Sequence, residues 1–201
     1  MSTRTATVTR ATRETSIRVT LDLDGTGKTA VKTGIGFLDH LLDALGRHAR
    51  FDLALTCEGD LQVDDHHTAE DCALALGEAL DRALGERRGV NRFGWALAPL
   101  DEALARAVID LSGRPFSDVA LGLRRAAIGG LACENVAHLL RSLATAARMT
   151  LHVDVLKGEN DHHRAEAAFK ATALALRQAV ARSGFDDVPS TKGTLGGASR
   201  E

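Results

Sequence analysis

Residues 65–80 read DHHTAEDCALALGEAL and residues 161–176 read DHHRAEAAFKATALAL, so Asp-His-His-x-Ala-Glu recurs intact. Upstream, HLLDALGRHARFDLAL at 40–55 returns as HLLRSLATAARMTLHV at 138–153, sharing the His-Leu-Leu start and the leucine at the sixth position. The two blocks repeat at offsets of 96 and 98 residues. Two independent blocks at nearly one spacing indicate a duplicated chain.

Outward from these blocks, hydrophobic period assigns the elements. IRVTLDLD, from Ile17, alternates apolar and polar residues, and Gly25-Thr26-Gly27 then leads into TAVKTG, which predicts a hairpin. Phe37, Leu38, Leu41, Leu42 and Leu45 recur at helical spacing, Phe51–Cys57 alternates again, and Asp65–Leu84 reads as a long helix ended near Gly85. The first half is thus β-β-α-β-α. The second half has strand candidates near 93–98, 104–111 and 115–121, a helix over 131–147, a strand over 149–156 and a helix over 161–182. The expected fold is α/β of the α+β type, one domain of two duplicated halves, about 1–88 and 89–185, each a mostly β sheet covered by helices. A tail at 186–201, with Pro189, Ser190, Lys192 and Gly196-Gly197, has lost helical period and reads as a mobile or ligand-closing segment.

The chain has 201 residues, 44% of them hydrophobic, enough to bury a core. A net charge of -2 and no long Lys/Arg run argue against nucleic acid or a membrane surface as partner and favour a small molecule. No apolar run approaches the roughly 20 residues that span a bilayer, and MSTRTATVTR has no apolar segment for secretion, so a cytoplasmic location is expected. Cys57, Cys72 and Cys133 form no C-x-x-C pair and read as small core residues. Aromatics are only 3%, so the core must be aliphatic.

Six of the eight histidines stand at positions where the repeat has a histidine in both copies. In the first helix start, His66 and Glu70 are i, i+4 and His67 and Glu70 are i, i+3, so the three project from neighbouring faces. His66 and His67 lie about 100° apart around the axis, so each is placed to serve a different ion. His162, His163 and Glu166 repeat that arrangement, and His40 and His138 add one imidazole per half. Shared between two ions, these eight groups give four protein ligands each, leaving two octahedral positions open. Imidazole with carboxylate and open positions suits Mn²⁺ or Fe²⁺ better than a closed zinc site, and manganese is favoured. A solvated capping turn is the alternative for either copy alone. His152, on a strand, reads as a core residue or as one that supports the ligands from behind, and His48 is placed to reach the mouth of the site. Paired cations are also compatible with a phosphate-ester hydrolase or with ions that only staple subunits together.

The ordered motifs RATRETSIRVTLDLDGTG, GFLDHLL, DDHHTAED, NRFG, LDEALARAVIDLSGRP, HLLRSL, TLHV, NDHHRAEAAFKATALALRQAV and VPSTKGTL closely resemble the imidazoleglycerol-phosphate dehydratase family of histidine biosynthesis. The departures are small: Leu41 stands where the family often has Met, and Leu139 and Leu140 where it has aromatics. The resemblance implies a ribosomal protein S5 domain 2-like fold, dehydration of imidazoleglycerol phosphate, two Mn²⁺ per subunit and a homo-oligomer of 24 subunits built from trimers, with metal sites completed by neighbouring subunits. It carries the metal ligands over to His40, His66, His67, Glu70, His138, His162, His163 and Glu166. Substrate contacts carry over to Glu14, His48, Arg92, Arg114, Lys170, Ser190, Thr191 and Lys192. Arg92, Arg114, Ser190 and Lys192 suit a phosphate dianion. Glu14 is the candidate for proton transfer, with Glu166, His40 or a metal-bound water as the competing groups. The family sometimes carries a fused phosphatase domain, and a single activity is expected of this chain.

Overall fold

The computed structural model describes residues 3–195. Each half contains three strands, a helix, a strand and a helix, one strand more than the first half's pattern predicts. In the first half these are β1 (Thr5–Ala11), β2 (Thr15–Asp22), β3 (Thr29–Lys32), α1 (Gly36–Ala49), β4 (Asp52–Gly59) and α2 (His66–Leu84). The second half runs β5 (Phe93–Leu100), β6 (Ala103–Asp110), β7 (Phe116–Ala120), a small β8 (Ala127–Ile128) and β9 (Leu131–Ala132) ribbon, α3 (Cys133–Ala146), β10 (Thr150–Lys157) and α4 (Asp161–Val180). Strand β1 escapes a reading of periodicity because Val8 is its only buried residue.

The sheets have identical order, β1-β2-β4-β3 and β5-β6-β10-β7. In each, the strand between the half's two helices pairs antiparallel with the half's second strand and parallel with its third. The predicted β2–β3 hairpin is therefore incorrect: β2 pairs with β1 and β4, and β3 only with β4. The physical reason is Asp52, whose Oδ1 accepts the backbone N–H groups of Thr26, Gly27 and Lys28 at 2.7, 3.0 and 2.9 Å. The Gly-Thr-Gly segment thus wraps a carboxylate on β4, and a Cβ on Gly25 would lie 2.4 Å from the Asp52 nitrogen. This carries β3 past β2 to the far side of β4.

Helices α1 and α2 lie on the first sheet and α3 and α4 on the second, and the two layers meet with α1 against α4 and α2 against α3. The apolar stripes of both layers fill one continuous core that is aliphatic as expected, with Phe169 its largest fully buried side chain. Cys57, Cys72 and Cys133 are free and buried within it. The guanidinium of Arg87, at the seam between halves, is buried and donates to Asp81 at the end of α2 and to the carbonyls of Ala147 and Arg148 just past α3. It thereby satisfies carbonyls that a helix end leaves open. His152 is not a core residue: it lies on the solvent face of β10, 5.5 Å from the Phe116 ring.

The start of the predicted tail is tied to the seam through Gly89 N–H to the Asp187 carbonyl at 2.8 Å and Arg92 to the Pro189 carbonyl at 2.8 Å. Gly196-Gly197 and the rest of the tail lie outside the described residues. No helix among the described residues is long and apolar enough to cross a membrane.

Two glycines let these layers approach. A Cβ on Gly77 of α2 would meet the Leu143 carbonyl of α3 at 2.7 Å, and one on Gly94 of β5 would meet the Ala175 carbonyl of α4 at 2.0 Å. Both obstacles are backbone, so Gly77→Ala and Gly94→Ala should each cost about 1–3 kcal/mol, as overpacking does. Urea unfolding measures this, and midpoints equal to the parent's would contradict the close approach.

Candidate metal centre

The cross-half packing of helices brings the repeated histidines together in a way that spacing along the chain does not reveal. His40 on α1 joins not α2 of its own half but α4: its Nε2 lies 2.9 Å from Glu166 Oε2, and His162 Nε2 lies 3.2 Å from the same oxygen. Reciprocally, His138 on α3 places Nε2 3.1 Å from Glu70 Oε1 on α2, and its ring stacks on that of His66 at 5.0 Å. Each set, His40–His162–Glu166 and His66–Glu70–His138, offers three ligand atoms within 4.8 Å of one another. Every set thus draws on both halves.

His67 and His163 do not join these sets. Each follows its partner by one residue and so turns to another face of its helix. His67 Nδ1 lies 3.0 Å from Asp60 Oδ2, and His163 Nδ1 lies 2.7 Å from Glu102 Oε2. His66 Nδ1 lies 3.0 Å from Asn135 Oδ1. With Nδ1 as the donor in all three, the proton is fixed there and the Nε2 lone pair is left for a metal, the usual arrangement around imidazole ligands. Asp60, Glu102 and Asn135 were missed in the sequence. The first two sit in loops after β4 and between β5 and β6, and only Asn135, one turn before His138, carried a signal.

Charge in the site is set by these contacts. Burial opposes ionisation of Glu166, but hydrogen bonds from Lys170 Nζ at 2.7 Å and from His40 outweigh it and hold the carboxyl at about 2. The Asn160 backbone N–H and the His163 ring lower Glu102 to about 2, and Glu102 in turn raises His163. Asp60 raises His67 in the same manner. His48, in the last turn of α1, is lowered by burial and then by the Lys170 charge. This donor set fits a divalent cation that accepts imidazole and carboxylate.

The expected substrate contacts fall into separate groups. Glu14 lies between β1 and β2, half exposed, with Oε1 3.7 Å from His67 Nε2. His48 and Lys170 lie beside the Glu166 set. Arg92 spends its guanidinium on Asp110, at 2.7 and 3.0 Å, and on the Pro189 carbonyl. That contact sets the position of Ser190, whose Oγ accepts the Lys192 N–H at 3.2 Å. Thr191 and Lys192 are exposed, and Arg114 is held in a turn by Ser112 Oγ at 3.2 Å. A groove of about 590 Å³ along Val119–Ala126 and α3 is lined by none of these residues.

The Glu102–His163 pair makes a pH prediction for metal-free protein. The lowered Glu102 contributes stability that is present above its ordinary 4.5 and lost as pH falls toward 2, and the raised His163 contributes stability present below 6.5 and lost as pH rises through its folded value. The melting-temperature difference between parent and Glu102→Gln should therefore be greatest between these two values and shrink on both sides. A difference independent of pH would refute the ion pair.

Residues 33–176 match the family model described as imidazoleglycerol-phosphate dehydratase. The chain is 60% identical over 192 residues to imidazoleglycerol-phosphate dehydratase of Phytophthora nicotianae, covering 96% of this chain and 42% of that one. It is 56% identical to the protein of the same name from Phaffia rhodozyma, covering 96% of each. The crystal structure of imidazoleglycerol-phosphate dehydratase from Staphylococcus aureus superposes with a TM-score of 0.80 at 31% identity, over 89% of this chain and 99% of that one. By fold, by sequence and by the histidine sets that the fold assembles, the chain belongs to the imidazoleglycerol-phosphate dehydratase family.

Proposed function

We propose that this protein is a hydro-lyase that removes water from D-erythro-1-(imidazol-4-yl)glycerol 3-phosphate, giving 3-(imidazol-4-yl)-2-oxopropyl phosphate in histidine biosynthesis. Family membership over most of the chain carries this reading. Two three-donor sets built from the repeated motif support it. The whole chain acts as one catalytic unit of halves 1–88 and 89–185 with the tail 186–201, in the cytoplasm.

His40, His162 and Glu166 hold one ion and His66, Glu70 and His138 the other, as two Mn²⁺ per chain. His67 and His163, turned away from both sets, each complete a site on a neighbouring copy, in an assembly of 24 subunits built from trimers. Bound cations supply Lewis acidity, lowering the barrier to removing a carbon-bound proton that is not ordinarily acidic. Glu166, held ionised by Lys170 and His40, serves as a ligand and cannot be the acid at neutral pH. Glu14, half exposed and with Oε1 3.7 Å from His67 Nε2, is the group that moves the proton. His40 acts on the reaction only by holding its ion beside Glu166. Arg92, Arg114, Ser190, Thr191 and Lys192 bind the phosphate, and His48 and Lys170 border the imidazole end.

Stripping the metal and adding Mn²⁺ back stepwise should restore turnover that plateaus near two ions per chain. Release of inorganic phosphate in place of the ketone product would mark a hydrolase instead. His67→Ala and His163→Ala should each weaken Mn²⁺ binding by at least the roughly 10–100-fold that loss of a residue supporting a ligand costs, and abolish turnover. Full metal content and rate in both variants would remove them from the ligand set. Lys192→Ala should mainly raise KM, by about 10-fold or more, as loss of a charged hydrogen bond does.

A further inference from the structure

Equivalent hairpins in the two halves each present a carboxylate to the start of a histidine-bearing helix: Glu14 between β1 and β2, Glu102 between β5 and β6. Glu102 is fully used. Its Oε2 takes the His163 ring and its Oε1 accepts the N–H groups of Glu159 and Asn160 at 3.1 and 2.8 Å, so the carboxylate itself fastens its hairpin to α4. In the first half Asp60 takes the corresponding ring nitrogen, and the Glu14 carboxylate accepts no hydrogen bond among the described residues. A hairpin whose carboxylate is free needs another fastener.

That fastener is Asp71, one residue beyond Glu70 on α2 and 5% exposed. Its Oδ2 accepts the Thr15 hydroxyl at 2.6 Å and its Oδ1 accepts Arg10 Nη2 at 2.8 Å, one contact to each strand of the hairpin. Thr12 Oγ1 accepts the Glu14 N–H at 3.1 Å, and the Glu14 carbonyl accepts the Asp60 N–H at 3.0 Å, so the backbone at Glu14 is held on both sides. Strand register places Ala98 and Ala103 where Arg10 and Thr15 stand, and the repeat places Ala167 where Asp71 stands; all three alanines are buried. The second half therefore shows that the same layers close with three methyl groups, at none of the desolvation cost of a buried carboxylate. The polar triad is not needed to close the fold.

We infer that Asp71, through Thr15 and Arg10, is a positioning residue that fixes the Glu14 carboxylate for the reaction; this rests on the reading of Glu14 as the group that moves the proton. The clamp leaves the carboxylate itself free, as the duplicate hairpin does not.

The test compares Thr15→Val, which removes the hydroxyl at nearly constant shape, with Thr15→Ser, which keeps it, and with the triple variant Arg10→Ala/Thr15→Ala/Asp71→Ala, which imports the second half's solution. Measured on the Mn²⁺-loaded full chain with imidazoleglycerol phosphate, Thr15→Val and the triple variant should lower kcat by about 10–100-fold, the scale of a catalytic group misplaced by about an ångström. Mn²⁺ stoichiometry and affinity, titrated by electron paramagnetic resonance, should not change, and Thr15→Ser should restore kcat. In a Glu14→Gln background the same changes should cost almost nothing further, because they act through Glu14. Unaltered kcat in Thr15→Val and the triple variant, an equal loss in the Glu14→Gln background, or a parallel loss of Mn²⁺ binding would each overturn the clamp. Full activity in Glu14→Gln alone would instead overturn the role of Glu14, and with it the object of the clamp. Should the triple variant not fold, the valine–serine pair decides.

Discussion

Burial of each half's helices against the other half's helices is the constraint from which the rest follows. A sheet covered by two amphipathic helices still leaves apolar helix surface to cover, and in the closed pair α1 buries Leu38 and Leu41 and α3 buries Leu139 and Leu140 completely. Burying side chains of this size contributes about 1.5–3 kcal/mol each, so the closed pair is strongly favoured over either half alone. The pairing is crossed, α1 with α4 and α2 with α3. Crossing puts the single histidine of one half over the His-x-x-x-Glu face of the other. Duplication therefore produced two composite sets, neither of which a single half could assemble.

The duplication, the helices and most strands were legible because each imposes a period on the sequence. Leu38, Leu41, Leu42 and Leu45 must recur at helical spacing to face one core, and Ile17, Val19 and Leu21 must alternate for one side of a strand to be buried. What could not be read is what period does not encode. Strand β1 lies at a sheet edge, and its alternation, Ala6 and Val8 between threonines, is too short and buries too little to stand out. The place of β3 is decided by a long-range bond from Asp52 to a glycine loop, and a turn-like Gly-Thr-Gly looks the same whether it closes a hairpin or wraps a carboxylate. The eight candidate ligands were legible because helix geometry fixes relative directions within four residues, but their partition between partners depends on which helices meet.

The imidazoles show how much of a site lies outside its motif. His66, His67 and His163 each place Nδ1 against a side-chain oxygen, from Asn135, Asp60 and Glu102 respectively. These three oxygens come from a helix, a strand end and a hairpin, so no shared spacing announces them. Their common effect is to hold each ring in one orientation, with Nδ1 against the oxygen and Nε2 directed away from it, without which two adjacent histidines would be interchangeable donors rather than a directed pair.

Donor arithmetic then bears on assembly. Two sets hold three donors each, while His67 and His163 stand outside both. On the reading proposed above, every chain lacks as many donors in its sets as it presents outside them, so identical copies satisfy one another with none left over. Such a contact is heterologous, since the set on one chain faces the lone histidine on the next, and heterologous contacts close only as rings or shells. Four protein donors around an octahedral ion leave two positions for substrate. On that same reading the site opens at a subunit boundary, and Glu14, Lys170 and the Arg92 group, which share no hydrogen bond or ion pair among the described residues of one chain, would converge on a ligand only across it: residues that meet at a boundary need not be neighbours within the chain that carries them.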